Sequence, residues 1–597
     1  MNAPPTQAHF ALSGPANRPA RWRGPAIILF AALVATAPQF FRGNTCGHDF
    51  DFHLVSWFDC LHSWREGILY PQWTPSPNFG AGEPRFVFYP PLTWMLGAAL
   101  GILMPWKLVP MALTFLLLAG AGIAARALAR QVLQDGPATL AGCIAIFSGY
   151  SLFTAYERTA FGELTGGFWL PLLLLFVQRD RNPEAPLMRR AFDGSAAPLA
   201  LVLAGAWLCD IPLGLVASYL LAGMALLCAL VWRSWAPIVR SAAATILGVV
   251  LTSIYLMPAF ADQSWIDVHQ ATNVGYRIQD SWLFARHAGQ DFALHDIELF
   301  KVSAIGITMI GVALAALLLG RLRRRMPGPF RWWFPLALLV VGVLVLQLPL
   351  SAPIWNILPK LRLLQFPWRW LVALEAPMGI FVASAIWVTR RRWLVLSACA
   401  VFFVGTALIA GFTFFQTCDE EDAVWAMQDT YRSGSGFEGE DEYTPPYADN
   451  SLVSMDLPAA CLISNPETAL GKTNEDAELD WSPDQHSCDA TFPATPVPGE
   501  PADEHRRIQA VAPHAGYLIL RLRNCPAWNV MLNGQTLHSL PEREDGLIVL
   551  PVPQGAFTVT ADWITSTATV AGRWISLLAL LAIAALSWIE KKSLRLK

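Results

Sequence analysis

RRRWLVLSACAVFFVGTALIAGFTFF, residues 390–415, decides the fold. Three arginines open it, and no charged residue follows until Asp419, Glu420, Glu421 and Asp422. A hydrocarbon layer of ~30 Å takes roughly 20 helical residues to cross. The stretch supplies that length, with cations at one end and carboxylates beyond the other.

The same kind of run recurs through the chain. Of 597 residues, 54% are hydrophobic and 15% charged, with mean hydropathy +0.40. A soluble chain of this length needs more polar surface than that. We place spans at 25–41, 109–125, 138–153, 167–177, 197–208, 213–231, 238–260, 302–319, 334–350, 371–388, 394–415 and 575–589, about 12 in all. The run 92–104 ends at Pro105 and is short; it reads as interfacial or re-entrant.

Lys/Arg bias orients the spans. With 92–104 not crossing, Arg179, Arg181, Arg189, Arg190, Arg233, Arg321, Arg323, Arg324, Arg325, Arg390, Arg391, Arg392 and the tail Lys591, Lys592, Arg595 and Lys597 share the cytoplasmic side. Arg158 and Arg573 are the exceptions. The polar, Pro-rich tail 1–24 carries Arg18, Arg21 and Arg23 and lacks a clear cleavage site after its apolar run. Both termini are thus expected in the cytoplasm. The chain divides into the tail 1–24, a membrane module 25–415 with an outer loop 42–89, an outer domain 416–573, and a final span with basic tail, 574–597.

Within the outer domain, 416–515 is acidic and loop-rich, while 516–563 is β-rich. Runs at 516–523, 528–532, 547–552 and 557–563 alternate or are β-branched, with turn signals at Asn533-Gly534 and Gln554-Gly555. They predict a small β-sandwich. Ten cysteines are present and no C-x-x-C pair. Cys143, Cys209, Cys228 and Cys399 lie in apolar runs; Cys46, Cys60, Cys418, Cys461, Cys488 and Cys525 face an oxidising compartment in this topology, with their pairing open.

Candidate chemistry concentrates on the outer side. His48-Asp49-Phe50-Asp51-Phe52-His53 alternates ionisable groups with aromatics. In an extended segment, Asp49, Asp51 and His53 share one face. Carboxylates there suit deprotonation of a hydroxyl or a divalent cation. The string is short, and a polar loop anchored by aromatics accounts for it equally. Glu157, Arg158 and Glu163 interrupt two spans at membrane depth, where ionisable groups are functional or paired. Asp210 is a further acid between spans. Arg277 and Arg369 stand in outer loops at the height of a lipid phosphate, which Arg forks grip well; snorkelling explains Lys360 and Arg362. No P-loop, dinucleotide fingerprint, G-x-S-x-G or H-E-x-x-H occurs, and no basic patch interleaved with aromatics, so no nucleic-acid partner is expected. A group donor used outside the membrane must be energised already.

The order of parts resembles the GT-C superfamily of membrane glycosyltransferases. The string Asp49 … His53 … Gly67-x-x-Tyr70-Pro71-x-Trp73 … Gly80-x-Gly82-x-Pro84 … Phe88-Tyr89-Pro90-Pro91-Leu92 is similar to a bacterial branch labelled 6-pyruvoyl-tetrahydropterin synthase-related membrane proteins. Gln365-Phe366-Pro367-Trp368-Arg369 and Pro526-Ala527-Trp528-x-Val530 … Asn533-Gly534 also fit it. The resemblance implies an inverting glycosyltransferase of the bacterial plasma membrane, taking a polyprenyl-phosphate sugar as donor and an envelope acceptor. It makes Asp49 or Asp51 the base or metal ligand, with a divalent cation as the cofactor in question, and Arg369 a donor-phosphate contact. The superfamily's Arg-Ser-x-x-Gly-x-x-Asp pattern is not reproduced here, so Glu157 and Glu163 match its second acidic motif by position only. A transporter or lipid flippase using Asp210 and the Glu157–Arg158–Glu163 group, or a non-catalytic envelope assembly protein, are the alternatives.

Overall fold

The computed structural model describes residues 22–290, 292–387, 392–453, 455, 457–470, 488–497 and 499–595. Arg18, Arg21, Arg390, Arg391 and Lys597 lie outside the described residues, as do the side chains of Arg392 and Arg595.

Among the described residues, seven helices are long and apolar enough to cross a membrane: Trp106–Ala129, Asp135–Arg158, Ile211–Trp232, Ala293–Leu322, Pro367–Ile386, Trp393–Thr413 and Thr567–Lys592. Two bent pairs raise the number to nine if each is one span: Ala236–Leu251 with Ser253–Ala261, bent by 68°, and Phe330–Leu346 with Pro349–Ile357, bent by 98°. The apolar runs at 25–41, 167–177 and 197–208 form shorter helices instead, so the expected twelve reduce to nine at most by length. The first breaks after Ala35, where Pro38 starts a new short helix, Ala37–Arg42. The second lies in Phe161–Val177 and follows the ionic segment; the third lies in Ala196–Cys209 and ends where Asp210 caps the next helix.

The helix ends sort by charge. At one end Gly24 lies against the Arg126 guanidinium, and Arg126 pairs with Asp135. There Arg325 donates to the Trp387 carbonyl at 2.5 Å, and Arg323 to that of Ala385 at 3.3 Å. Arg240 pairs with Asp193 at 3.2 Å and donates to the carbonyls of Ala191, Phe176, Arg179 and Arg190. Each of those is a carbonyl at or just past a helix end, the place where a cation is best received. The opposite end gathers the segments around 45–49, 156–163, 209–211, 298–301, 364–369 and 415–418. The helix Pro91–Leu103 starts and finishes at this second end. Thr93 donates to the carbonyl of Cys209 at 2.8 Å, and Asn44 donates to that of Lys107 at 3.1 Å. It is one continuous helix of 13 residues lying at this end, with Gly97 pressed on the Trp57 ring.

The 42–89 loop is built on a helix, Phe50–Arg65, and not on extended chain. The late segment forms two four-stranded antiparallel sheets. One has the order β2-β1-β4-β7 and the other β3-β8-β5-β6, where β1 is Ala460–Ile463, β2 Ala490–Phe492, β3 His505–Ala512, β4 Gly516–Arg523, β5 Trp528–Leu532, β6 Gln535–Thr536, β7 Leu547–Val552 and β8 Gly555–Trp563. The expected runs are β4, β5, β7 and most of β8. β1, β2 and β3 fall in the part read as loop-rich, so the β-rich region reaches back to Ala460. β1 is a four-residue run buried throughout, so it carries no alternation to read, and β3 opens on His505-Arg506-Arg507. The sheets sit on the loop through Trp73, whose ring lies 5.2 Å from that of Trp528 and 5.3 Å from that of Trp563. Gln72 accepts from the Trp563 indole at 3.2 Å.

Two disulfides form among the described residues, Cys46–Cys418 and Cys461–Cys488. The first joins the 42–89 loop to the start of the late segment. Cys60 and Cys525 are buried thiols. Alkylation of denatured, unreduced protein followed by mass measurement is expected to label six of the ten cysteines, leaving Cys46, Cys418, Cys461 and Cys488 protected; ten labels would contradict the two bonds.

Candidate functional site

Three pieces of chain lie side by side at the second end of the bundle. Thr45 donates to the carbonyl of Tyr156 at 2.6 Å, Cys46 N–H donates to that of Gln416 at 3.0 Å, and Asp49 N–H donates to that of Arg158 at 3.0 Å. The approach is so close that a side chain at Gly47 would put its Cβ 2.3 Å from the Glu157 carbonyl oxygen. Glycine is required there by space. Between them the helix Asp135–Arg158 finishes in a widened π-turn over Thr154–Arg158, a form frequent at functional sites. Thr159 then adopts φ +51°, costly for a β-branched residue. Its hydroxyl accepts from Gly47 N–H at 3.0 Å, which holds it there.

This packing buries Arg158. Its guanidinium lies 3.9 Å from the Asp49 carboxylate and 5.4 Å from the Phe366 ring centre. The Asp49 side chain is 36% exposed while that of Arg158 is 8% exposed, so the acid is at the lip and the cation behind it. Asp49 also stands before the first turn of Phe50–Arg65, where a carboxylate is favoured by the helix dipole. Deeper in, Glu163 receives the Tyr150 hydroxyl and pairs with Arg369 at 3.2 Å. Arg369 also donates to Gln365 Oε1 at 3.0 Å and to the Leu364 carbonyl at 3.2 Å. Gln365 has φ +60° and donates to the carbonyl of Ala271 at 2.7 Å. Arg369 is therefore held by a residue with a positive φ, and Arg158 is followed by one, Thr159. Asp210, buried, accepts from Leu213 N–H at 2.8 Å beside this group. Gly162 is the spacer, since a Cβ there would meet the Tyr89 hydroxyl at 3.1 Å and the Asp210 Cβ at 3.3 Å.

The helix Ala293–Leu322 adds two groups that the sequence reading did not single out. Lys301 donates to Glu157 at 2.5 Å, and Glu298 lies 3.9 Å from the exposed His48. Glu375, buried, accepts from Ser148 at 2.9 Å and from Ser151 at 2.6 Å. The signal for Lys301 and Glu298 was their position in the first turns of a long apolar helix. For Glu375 it was a lone acid inside an apolar stretch.

Asp49, Glu157, Arg158, Glu163, Arg369 and His48 thus come together, and three predicted residues are placed differently from the expectation. Because 50–65 is helical, Asp51 and Asp49 do not share a face; Asp51 is exposed. His53 shares the face of Asp49 but is buried among the rings of Trp57, Phe161 and Tyr89. Burial pushes its imidazole down to about 4, so it is neutral at pH 7. Arg277 pairs with Asp280 at 2.9 Å and lines a separate cavity of about 520 Å³ with Lys360, Arg362 and Trp355. Among the described residues Asp49 and Asp51 belong to no group of three metal-ligating side chains, and the Arg158 cation already faces Asp49. The residues present do not fit a cation held between these two carboxylates.

No family model matches this chain, and no curated protein matches it. Among solved structures it is similar to the arabinofuranosyltransferase AftD from mycobacteria (TM-score 0.37, 17% identity, 66% of this chain and 27% of that one). It is also similar to the Archaeoglobus fulgidus oligosaccharyltransferase in its apo form (TM-score 0.36, 12% identity, 80% of this chain and 62% of that one). The archaeal enzyme is also known in complex with an inhibitory peptide and a dolichol-phosphate, where the likeness has TM-score 0.36. The chain spans less than two thirds of either neighbour's length, and at these scores neither defines a shared fold.

A buried ion pair that loses one partner leaves an uncompensated charge, at about 3–5 kcal/mol. Glu163→Ala is expected to lower stability by that order, and Asp51→Ala, at an exposed position, by less than about 0.5 kcal/mol. Unfolding of the detergent-solubilised protein compares the two; equal losses would contradict the burial of the Glu163–Arg369 pair.

Proposed function

We propose that the protein is a GT-C-like inverting glycosyltransferase that takes its sugar from a polyprenyl phosphate and glycosylates an acceptor in the cell envelope. The observation that carries this is the Asp49–Arg158 juxtaposition, a half-exposed carboxylate over a buried guanidinium at 3.9 Å, backed by a second arginine, Arg369. A glycosyl transfer needs both: a base where the acceptor enters, and fixed positive charge where the leaving phosphate develops negative charge.

In this mechanism the acceptor hydroxyl approaches over Asp49, which takes its proton. The freed oxygen attacks the anomeric carbon from the side opposite the phosphate. The bond from that carbon to the phosphate oxygen breaks, the lipid phosphate departs with the electron pair, and the configuration inverts. Arg158 and Arg369 face the departing phosphate. Buried at the end of an apolar bundle, they need no reorganisation to do so. Lys301 and Glu157 hold the π-turn that presents Arg158, and Glu163 with Gln365 holds Arg369. The positively charged helix ends and both termini lie in the cytoplasm, and the site opens at the outer face of a bacterial plasma membrane, where a polyprenyl phosphate is within reach and ATP is not.

The test is transfer by the purified protein in liposomes from a panel of synthetic polyprenyl-phosphate monosaccharides. Asp49→Asn is expected to cut the rate per folded molecule at least roughly 100-fold, the scale of general-base catalysis, and to lower the melting temperature because Arg158 loses its charge partner, while Asp51→Asn stays near wild type in both. Wild-type turnover by Asp49→Asn would remove Asp49 from the mechanism.

A further inference from the structure

The far end of the helix Phe50–Arg65 carries a cluster that the proposed chemistry does not use. His62 and Glu66, spaced i,i+4 on one face, meet Asp503 from the segment that leads into β3. His62 Nε2 lies 3.3 Å from Glu66 Oε1 and 3.7 Å from Asp503 Oδ1, and one ligand atom from each residue falls within 4.8 Å of the others. The Asp503 side chain is 5% exposed, that of Glu66 22% and that of His62 41%, so the three form a pocket with one open side.

We infer that His62, Glu66 and Asp503 form a structural site for a zinc-class divalent cation that fastens the β domain to this helix. The spacing fits. Zinc with bonds of 2.0–2.2 Å to nitrogen and oxygen has ligand–ligand edges of roughly 3.3–3.6 Å, about the two distances measured from His62 Nε2. The donor set fits as well. An imidazole with two carboxylates suits zinc, while calcium and magnesium take oxygen ligands. The open side leaves room for a water as fourth ligand. The supporting contacts orient the acids. Ser63 donates to Asp503 Oδ2 at 3.1 Å, and Asp503 N–H donates to Glu66 Oε2 at 3.4 Å, leaving Asp503 Oδ1 and Glu66 Oε1 toward His62.

Charge supplies an independent argument. A neutral imidazole with two carboxylates carries −2, and one of those carboxylates is almost fully buried. Arg506, on β3, contributes a nearby positive charge but makes no ion pair with either acid among the described residues. A divalent cation cancels the −2 where it stands. The consequence is positional: Asp49 stands at the other end of the same helix, roughly 20 Å away at 1.5 Å per residue. A cation here fixes the axis on which the lip carboxylate is carried.

The test uses the full-length protein in detergent, stripped with a chelator and titrated with Zn²⁺. Bound metal is counted by mass spectrometry, and the coordination is read from the visible bands of Co²⁺ in its place. The wild type is expected to take up one tightly held Zn²⁺, to melt at a higher temperature as Zn²⁺ is added, and to give a tetrahedral Co²⁺ spectrum. His62→Ala and Asp503→Asn should weaken Zn²⁺ binding at least roughly tenfold. Glu66→Gln, at the open rim, carries the same expectation with the least risk to folding. His505→Ala, in the neighbouring Glu500–His505–Asp562 group, should leave binding intact. Absence of saturable binding by the wild type would overturn the inference, as would loss in His505→Ala with retention in His62→Ala, or equal binding by every variant. A wild type stabilised only by acidification, without metal, would show that His62 serves as an imidazolium between the acids, and would overturn it too.

Discussion

A guanidinium removed from water at the end of an apolar bundle must be met by negative charge and hydrogen-bond acceptors, or the bundle does not close around it. Arg158 meets that demand with Asp49, and Arg369 with Glu163, and much of this end of the molecule is arranged to let them. The π-turn at Thr154–Arg158, the left-handed Thr159, the close pass of Gly47 and the Cys46–Cys418 bond all hold three chain segments in one narrow bundle. Local cost is spread there that a purely structural ion pair would not require, since replacing such a pair by apolar side chains is often neutral or stabilising.

The membrane bundle was readable because its cause is simple. Long uncharged runs have one destination, and the arginine-rich loops between them share one end, as Arg126, Arg240, Arg323 and Arg325 do. The run expected to be interfacial or re-entrant is one helix, Pro91–Leu103, shorter than the spans. Span count was less legible, because length alone does not reveal where Pro38 or the Asp210 cap interrupts a helix. In the late β-rich segment, β4, β5 and β7 were visible through alternation and turn residues. β1 to β3 were not, since a buried four-residue strand and one opening on three basic residues carry little periodic signal.

The site was legible in its members more than in its arrangement. Ionisable residues at membrane depth pointed to Glu157, Arg158 and Glu163, and the loop acids pointed to Asp49. The assumption of extended chain put Asp51 and His53 on the same footing as Asp49. A helix beginning at Phe50 separates them, exposing Asp51 and burying His53 among aromatic rings. Arg277 looked equivalent to Arg369 in sequence, but Arg277 pairs locally with Asp280, three residues on, while the tertiary fold brings Glu163 to Arg369. Lys301 and Glu298 were hidden because their partners lie more than a hundred residues away in the chain.

The proposed reaction requires the two buried arginines to receive a lipid phosphate under Asp49. A structure of the protein with a bound polyprenyl phosphate tests it most directly. The account predicts phosphate oxygens within hydrogen-bond distance of the Arg158 or Arg369 guanidinium, with the Asp49 carboxylate facing the position of the anomeric carbon. A phosphate seated instead in the cavity of Arg277, Lys360 and Arg362, with Arg158 and Arg369 still closed on their carboxylates, would contradict it.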